Sequence, residues 1–199
     1  MPRPFRWRGA PACRPGPTSG RWAEPMPEAG APIATARLVL RRLRMDDIPA
    51  LVAGLDDYAV SRWLTVVPFP YTAADARDFL AYLEAGAPWD GFGIHADEGL
   101  VGVVGIGETL GYWLARRAQG KGYMTEAAAA LVGAYFSETG AESLGSGHFT
   151  GNAASRRVLE KLGFRPTRAV EEVFSRAQGR TVPLEKMRLS RADWQARHG

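Results

Sequence analysis

Apolar positions along the chain switch between a strand period and a helix period, and the switches outline a fold. Residues 37–43 carry Leu38, Val39, Leu40 and Leu43 and predict a short β-strand. Ile48, Leu51, Val52 and Leu55 then recur at helical spacing behind Asp46 or Asp47, either of which can cap, with Pro49 in the first turn. A second helix opens at Thr72, with Asp75 three residues on; its face is Ala76, Phe79, Leu80 and Leu83, and it ends at Gly86. Between these helices, Tyr58, Trp63, Pro68, Phe69, Pro70 and Tyr71 follow no period and predict a loop.

Three strands are predicted next, at 91–95, 100–105 and 110–114, with Asp97, Glu98 and Gly99 turning the first into the second. From Tyr123 to Ser137 the period is helical, with Met124, Ala127, Ala128, Leu131 and Tyr135 on one side and a stop at Gly140. A strand at 143–149, a helix from Asn152 to Leu162 ended by Gly163, and strands at 170–174 and 183–189 complete the order. Strands and helices in this sequence describe a mixed α/β (α+β) domain built on a mixed sheet. No internal repeat is present.

The first 33 residues depart from this pattern. They hold eight of the 14 prolines and no hydrophobic period, so they are expected to form a disordered tail, with the folded domain spanning 34–196. Met26 lies close to the domain, which leaves an upstream start as an alternative origin for the tail.

Charge changes the picture less than the totals suggest. The net charge is +4, yet the first 25 residues alone contain Arg3, Arg6, Arg8, Arg14 and Arg21 against Glu24. The rest of the chain is neutral overall, which argues against a nucleic-acid-binding role. The single cysteine, Cys13, excludes an internal disulfide and a thiolate metal cluster and agrees with a reducing cytoplasm. No apolar run approaches the ~20 residues of a membrane span, and the N-terminus lacks the apolar core of a secretory signal.

One stretch points to chemistry. Arg117–Ala118–Gln119–Gly120–Lys121–Gly122 joins the predicted strand 110–114 to the predicted helix from Tyr123. A glycine-rich turn that opens a helix leaves backbone N–H groups pointing one way, and the helix dipole adds positive charge there. Such a turn cradles an anion, most commonly a diphosphate.

This hexad resembles the acyl-CoA signature of the GNAT superfamily of N-acetyltransferases: Gln or Arg, two residues, Gly, one residue, Gly or Ala. Further stretches resemble the same family, in the same order: Gly111–Tyr112–Trp113–Leu114, Gly122–Tyr123–Met124–Thr125–Glu126–Ala127, Gly151–Asn152–Ala153–Ala154–Ser155 and Glu160–Lys161–Leu162–Gly163–Phe164. They look most like the branch that acetylates ribosomal-protein N-termini, at alanine or serine. The resemblance covers about 36–194. It implies a mostly antiparallel sheet of six to seven strands with splayed central strands, flanked by helices. It also implies acetyl-CoA as cosubstrate, no metal, and an amine acceptor that is a protein N-terminus or a small molecule. The expected assembly is a monomer or homodimer.

The same resemblance assigns residues. Backbone N–H groups of Gln119, Gly120, Lys121 and Gly122 would hold the diphosphate, with charge from Arg117 and Lys121; a Cβ at either glycine would keep phosphate oxygens out. The Leu114 N–H would polarise the thioester carbonyl. Asn152 would contact the pantetheine arm, and Ser155 would stand near the sulfur, where a hydroxyl can hydrogen-bond the departing thiolate. For the base, Glu108 heads the strand before the hexad, at a position where some members carry a carboxylate. His148 and Glu126 are the alternatives, and the first-turn acid Glu126 reads more simply as a partner of the helix dipole.

Two other classes compete for the same residues. Gly105, Gly107 and Gly111 superficially suggest a dinucleotide-binding turn, but such a turn must open a helix, and Tyr112–Trp113–Leu114 is β-like. An inert acyl-CoA-binding sensor module is the nearer rival, and turnover with an amine separates it from an enzyme.

Overall fold

The apolar run at 100–106 becomes the strand on which the rest is built. In this computed structural model, which describes residues 30–198, strand Gly99–Ile106 is buried at every position after its first glycine. It is covered on both faces, which explains why it reads as a continuous apolar run rather than an alternation.

Five strands form one antiparallel sheet in the order β1 (Ile33–Ala34), β2 (Val39–Arg41), β3 (Phe92–Ala96), β4 (Gly99–Ile106) and β5 (Leu110–Leu114). A second antiparallel sheet has β8 (Arg180–Ser190) between β6 (Ser143–Phe149) and β7 (Arg165–Ser175). Helices α4 (Tyr123–Glu138) and α5 (Ala153–Leu162) cover one side: Met124, Ala127, Ala128, Leu131, Leu159 and Leu162 join Leu40, Ile94, Val101, Val104 and Ile106 in the larger core. Helices α1 (Ile48–Leu55) and α3 (Ala73–Ala85) cover the other, where Ile48, Leu51, Leu55 and Ala76 meet Leu100 and Val103. Helix α1 lies so close to β5 that a Cβ on Gly54 would come within 2.6 Å of the Trp113 ring.

The expected α/β order with a mostly antiparallel sheet and divided centre is what the chain adopts, with eight strands among the described residues rather than six or seven. The additions have local causes. Strand β1 is only two residues long, and its first residue, Ile33, pairs with Leu40 although it falls at the end of the expected tail. Residues 1–29 of that tail lie outside the described residues. Strands β7 and β8 run 11 residues each, beyond their predicted ends, because backbone pairing in the hairpin continues through polar positions that carry no apolar period. Helix α2 (Tyr58–Ser61) sits in the predicted aromatic loop and is started by Asp57, whose side chain accepts from the Ala59 N–H. Helix α6 (Arg191–His198) is an element that the apolar period does not predict. Its signal is a cap: the Ser190 hydroxyl accepts from the Asp193 N–H and donates to the Asp193 carboxylate.

Candidate active site

Strands β5 and β6 belong to different sheets and touch only at their starts. Thr109 forms an isolated parallel bridge with Gly145, and the buried Ser146 hydroxyl donates to the Leu110 carbonyl at 2.8 Å. Beyond that point no ladder joins them, and the strands separate. The open side of β5 can be read from its pairing with β4. Leu114 stands opposite Gly102, and the next residue, Ala115, donates its N–H to the Val101 carbonyl at 2.8 Å. Antiparallel pairs alternate between bonded and non-bonded. The Leu114 backbone therefore faces away from β4, into the gap. Its carbonyl takes a hydrogen bond from Gln119 Nε2 at 3.0 Å, and its N–H faces the gap without a ladder partner.

Two helices start at this gap, because β6 leads into α5 through a short turn and β5 leads into α4 through a single helical turn at Arg116–Ala118 and the glycine turn. Helix α4 begins behind Gly122, whose φ of 82° lies in the left-handed region, and no side chain caps its first N–H groups. Gly120 has a φ of 79°, and a Cβ built there meets nothing within 4 Å. Both conformations suit glycine, and the space in front of Gly120 is open. The first-turn N–H groups of α4 thus point outward with no partner from the helix itself. The gap widens into a cleft of about 580 Å³ lined by Leu114, Gln119, Gly120, Gly122, Asn152 and Ser155, among others. Gln119, Gly120 and Gly122 of the hexad therefore meet Asn152 and Ser155 in one place. An elongated acyl thioester with a diphosphate fits it: open glycine backbone at one end, a free strand edge along its length.

The two cations of the hexad are engaged elsewhere. Arg117 donates to the Leu100 carbonyl at 2.8 Å, and Lys121 pairs with Glu98 at 3.0 Å; neither lines the cleft. On the opposite wall, Asn152 caps α5 by accepting from the Ser155 N–H at 3.1 Å. The Ser155 hydroxyl lies 2.9 Å from the Tyr112 phenol, which also donates to the Ser155 carbonyl at 3.1 Å. Burial pushes the phenol up to about 12, with the serine hydrogen bond acting the other way. Tyr112 is not among the site residues that the sequence singles out. Its signal is the strand period, which puts it on the same face as Leu114 two residues on.

The proposed bases separate. Glu108 is exposed on the turn between β4 and β5 and does not line the cleft. His148, on β6, is buried and lines it. Its Nδ1 lies 3.2 Å from the Phe149 carbonyl, and its Nε2 lies 4.0 Å from the Glu185 carboxylate.

Glu126 has a structural role. Its carboxylate accepts from the Thr35 hydroxyl at 2.6 Å and from the Arg37 N–H and Nε at 3.0 and 2.8 Å, while Arg37 Nη1 donates to the Lys121 carbonyl at 3.0 Å. The segment before β2 is thereby fastened to the first turn of α4 and to the glycine turn. Partial burial raises the carboxyl pKa, but hydrogen bonds from Thr35 and Arg37 outweigh it and hold the group below its usual range. A depressed folded-state pKa contributes stability above the ordinary carboxylate range that is lost as pH falls through the folded value. Glu126→Gln is expected to cost roughly 1 kcal/mol near neutrality, discounted for the exposure of Arg37. Its melting temperature should converge on that of the parent as pH falls below the ordinary carboxylate range and through the lowered folded value. A pH-independent difference in thermal melts would rule out the ionic tether.

A free strand edge between two helix N-termini, with an open glycine turn, is an arrangement that an acyl-CoA thioester can occupy, as in an acyltransferase. Residues 37–165 match the model of the acetyltransferase (GNAT) domain family, and the chain belongs to that family. It is 22% identical over 173 residues to the uncharacterised N-acetyltransferase p20 of Bacillus licheniformis, covering 80% of this chain and 96% of that protein. A GNAT-family acetyltransferase from Bacillus anthracis has the same fold, with a TM-score of 0.68 at 22% identity over 80% of this chain and 98% of that one. RimJ of Mycobacterium smegmatis, solved with CoA-disulfide, superposes with a TM-score of 0.67 at 21% identity, over 78% and 83% of the two chains. RimL, a ribosomal L7/L12 α-N-protein acetyltransferase solved with coenzyme A, gives 0.66 at 18%, over 80% and 97%. The protein is thus an acetyl-CoA-dependent acetyltransferase of this family. Among the described residues no cluster of His, Cys, Asp or Glu is arranged to hold a metal, and no helix is long and apolar enough to cross a membrane.

Proposed function

We propose that the protein transfers the acetyl group of acetyl-CoA to a primary amine by direct attack of the amine on the thioester. The observation that carries this reading is the outward-facing Leu114 N–H on an unpaired strand edge. A pantetheine arm can pair with that edge as an added strand, which brings the thioester carbonyl to a preorganised donor. Backbone N–H groups from Gln119 to Gly122 hold the diphosphate, with Arg117 and Lys121 adding positive potential from behind the turn. Asn152, whose side-chain oxygen is used by the cap, has its amide donors left for the arm. Ser155 serves the departing thiolate.

Proton removal from the incoming ammonium is assigned to His148 in preference to Glu108. The imidazole lines the cleft, with the Glu185 carboxylate 4.0 Å from its Nε2, whereas the Glu108 carboxyl lies on the exposed turn. The acceptor of first choice is the α-amine of a protein or peptide, supported by the substrate named for RimL. Small amines are the second choice, since the aromatic wall around Trp63 and Leu64 sets acceptor fit without touching the cofactor turn.

The test is thiol release from acetyl-CoA across a panel of peptides with free N-termini and small amines. Release that depends on an added amine, with intersecting rather than parallel initial-rate lines, is expected for direct attack. Release that no amine accelerates would overturn the proposal, and parallel lines would replace direct attack with a covalent enzyme intermediate.

A further inference from the structure

The Tyr112–Ser155 pair has two hydrogens and a choice of where to put them. Tyr112 can donate to the Ser155 carbonyl at 3.1 Å, and the serine hydroxyl can then donate to the phenol oxygen at 2.9 Å. In that arrangement the serine hydrogen is used up. Alternatively Tyr112 donates to Ser155 Oγ, and the serine hydrogen is released toward the cleft that Ser155 lines. The Ser155 carbonyl loses little in the exchange, because it belongs to the first turn of α5 and accepts from the helix as well. A hydrogen bond to an anion is about twice as strong as one between neutral groups, so a thiolate in the cleft selects the second arrangement.

We propose that Tyr112 is a positioning residue that turns the Ser155 hydroxyl hydrogen toward the sulfur as negative charge develops on it. The inference rests on the reading of Ser155 given above. No proton leaves the phenol: its pKa stands well above that of a thiol, so a phenolate in this buried spot is the less stable product. Tyr112 gives up its bond to the backbone carbonyl, makes one to Oγ, and remains neutral throughout. It is also rigid, since β5 is held by β4 along its full length and Trp113 is wedged against α1.

The test needs no acceptor. Coenzyme A itself is the probe, and the pKa of its thiol in the complex is read from thiolate absorbance in the ultraviolet as pH is raised. A hydrogen bond donated to the charged form lowers that pKa. In the parent protein the bound thiol is expected to titrate about one unit below free coenzyme A. Ser155→Ala and Tyr112→Phe should each return most of that shift, and the double variant should match Ser155→Ala alone, because the phenol acts only through the serine. Calorimetric affinity for coenzyme A at low pH, where the thiol is protonated, should stay within about threefold of the parent for all three variants. If Ser155→Ala returns the shift and Tyr112→Phe leaves it intact, Tyr112 is structural and the proposal fails alone. If Ser155→Ala leaves the shift intact, the underlying reading of Ser155 fails and takes the proposal with it. If the double variant loses clearly more than Ser155→Ala, the phenol reaches the sulfur directly and positioning is excluded.

Discussion

Replacing Gly120 with valine is expected to abolish measurable binding of coenzyme A while leaving a folded domain. Gly120 has a left-handed backbone, and the space a side chain would enter is open to the cleft rather than filled by the protein. Valine at such a φ costs on the order of 1–3 kcal/mol in strain, which the domain's two cores can absorb. The larger effect is on the ligand. A branched side chain would stand where the phosphate oxygens approach the backbone, and hydrogen bonds to a charged group are worth roughly 1.5–3 kcal/mol each. Losing two of them weakens binding by a factor of a hundred or more, on the order of 1.4 kcal/mol per factor of ten. Calorimetric titration of a variant whose circular dichroism matches the parent decides the matter. Unchanged affinity would remove the diphosphate from this turn. Gly122→Val should behave alike but with a larger loss of stability, because its Cβ comes within 3.4 Å of the Arg37 guanidinium that supports the turn.

Ser155→Ala is expected to lower kcat by something between tenfold and a thousandfold with the amine that the acceptor panel identifies, with KM for acetyl-CoA little changed. A hydroxyl that meets negative charge only as the thiolate departs contributes mainly in the transition state, so its removal shows in turnover rather than binding. The helix itself should be spared: Asn152 caps through the Ser155 backbone N–H, which alanine retains. A rise in KM or a lower melting temperature with kcat intact would make Ser155 a residue of the helix start, and the thiolate would then be protonated by water.

Much of this arrangement is legible in the sequence because its signals are local. Strand 110–114, the glycine pair and the helix from Tyr123 are neighbours along the chain, and the turn that joins them uses a backbone conformation that glycine suits and other residues avoid. Asn152 and Ser155 are legible for the same reason, as cap and first turn. Tyr112 escapes notice as a partner of Ser155 because the contact spans two elements 43 residues apart and depends on how far the strands splay. Arg37 escapes it too: its hold on Glu126 and on the Lys121 carbonyl crosses 89 and 84 residues. Glu108 shows the opposite limit, lying on the exposed turn and off the cleft lining. Its place in the chain, at the head of β5, is as expected, but position along a strand does not say on which side of a turn a carboxyl emerges. Helix α6 hides because only Trp194 is buried on it, too little to make a period.

The junction of β5 and β6 has a mechanical meaning. Two sheets, each rigid through its own ladders, are joined at this edge by one backbone bridge and by one serine hydroxyl bound to a carbonyl. Such a joint leaves Leu114 and Phe149, at the far ends of the two strands, with no ladder between them. A cosubstrate paired along β5, as proposed, would add a ladder at an edge where, beyond the bridge, the Tyr112–Ser155 contact and the shared apolar core tie the two sheets.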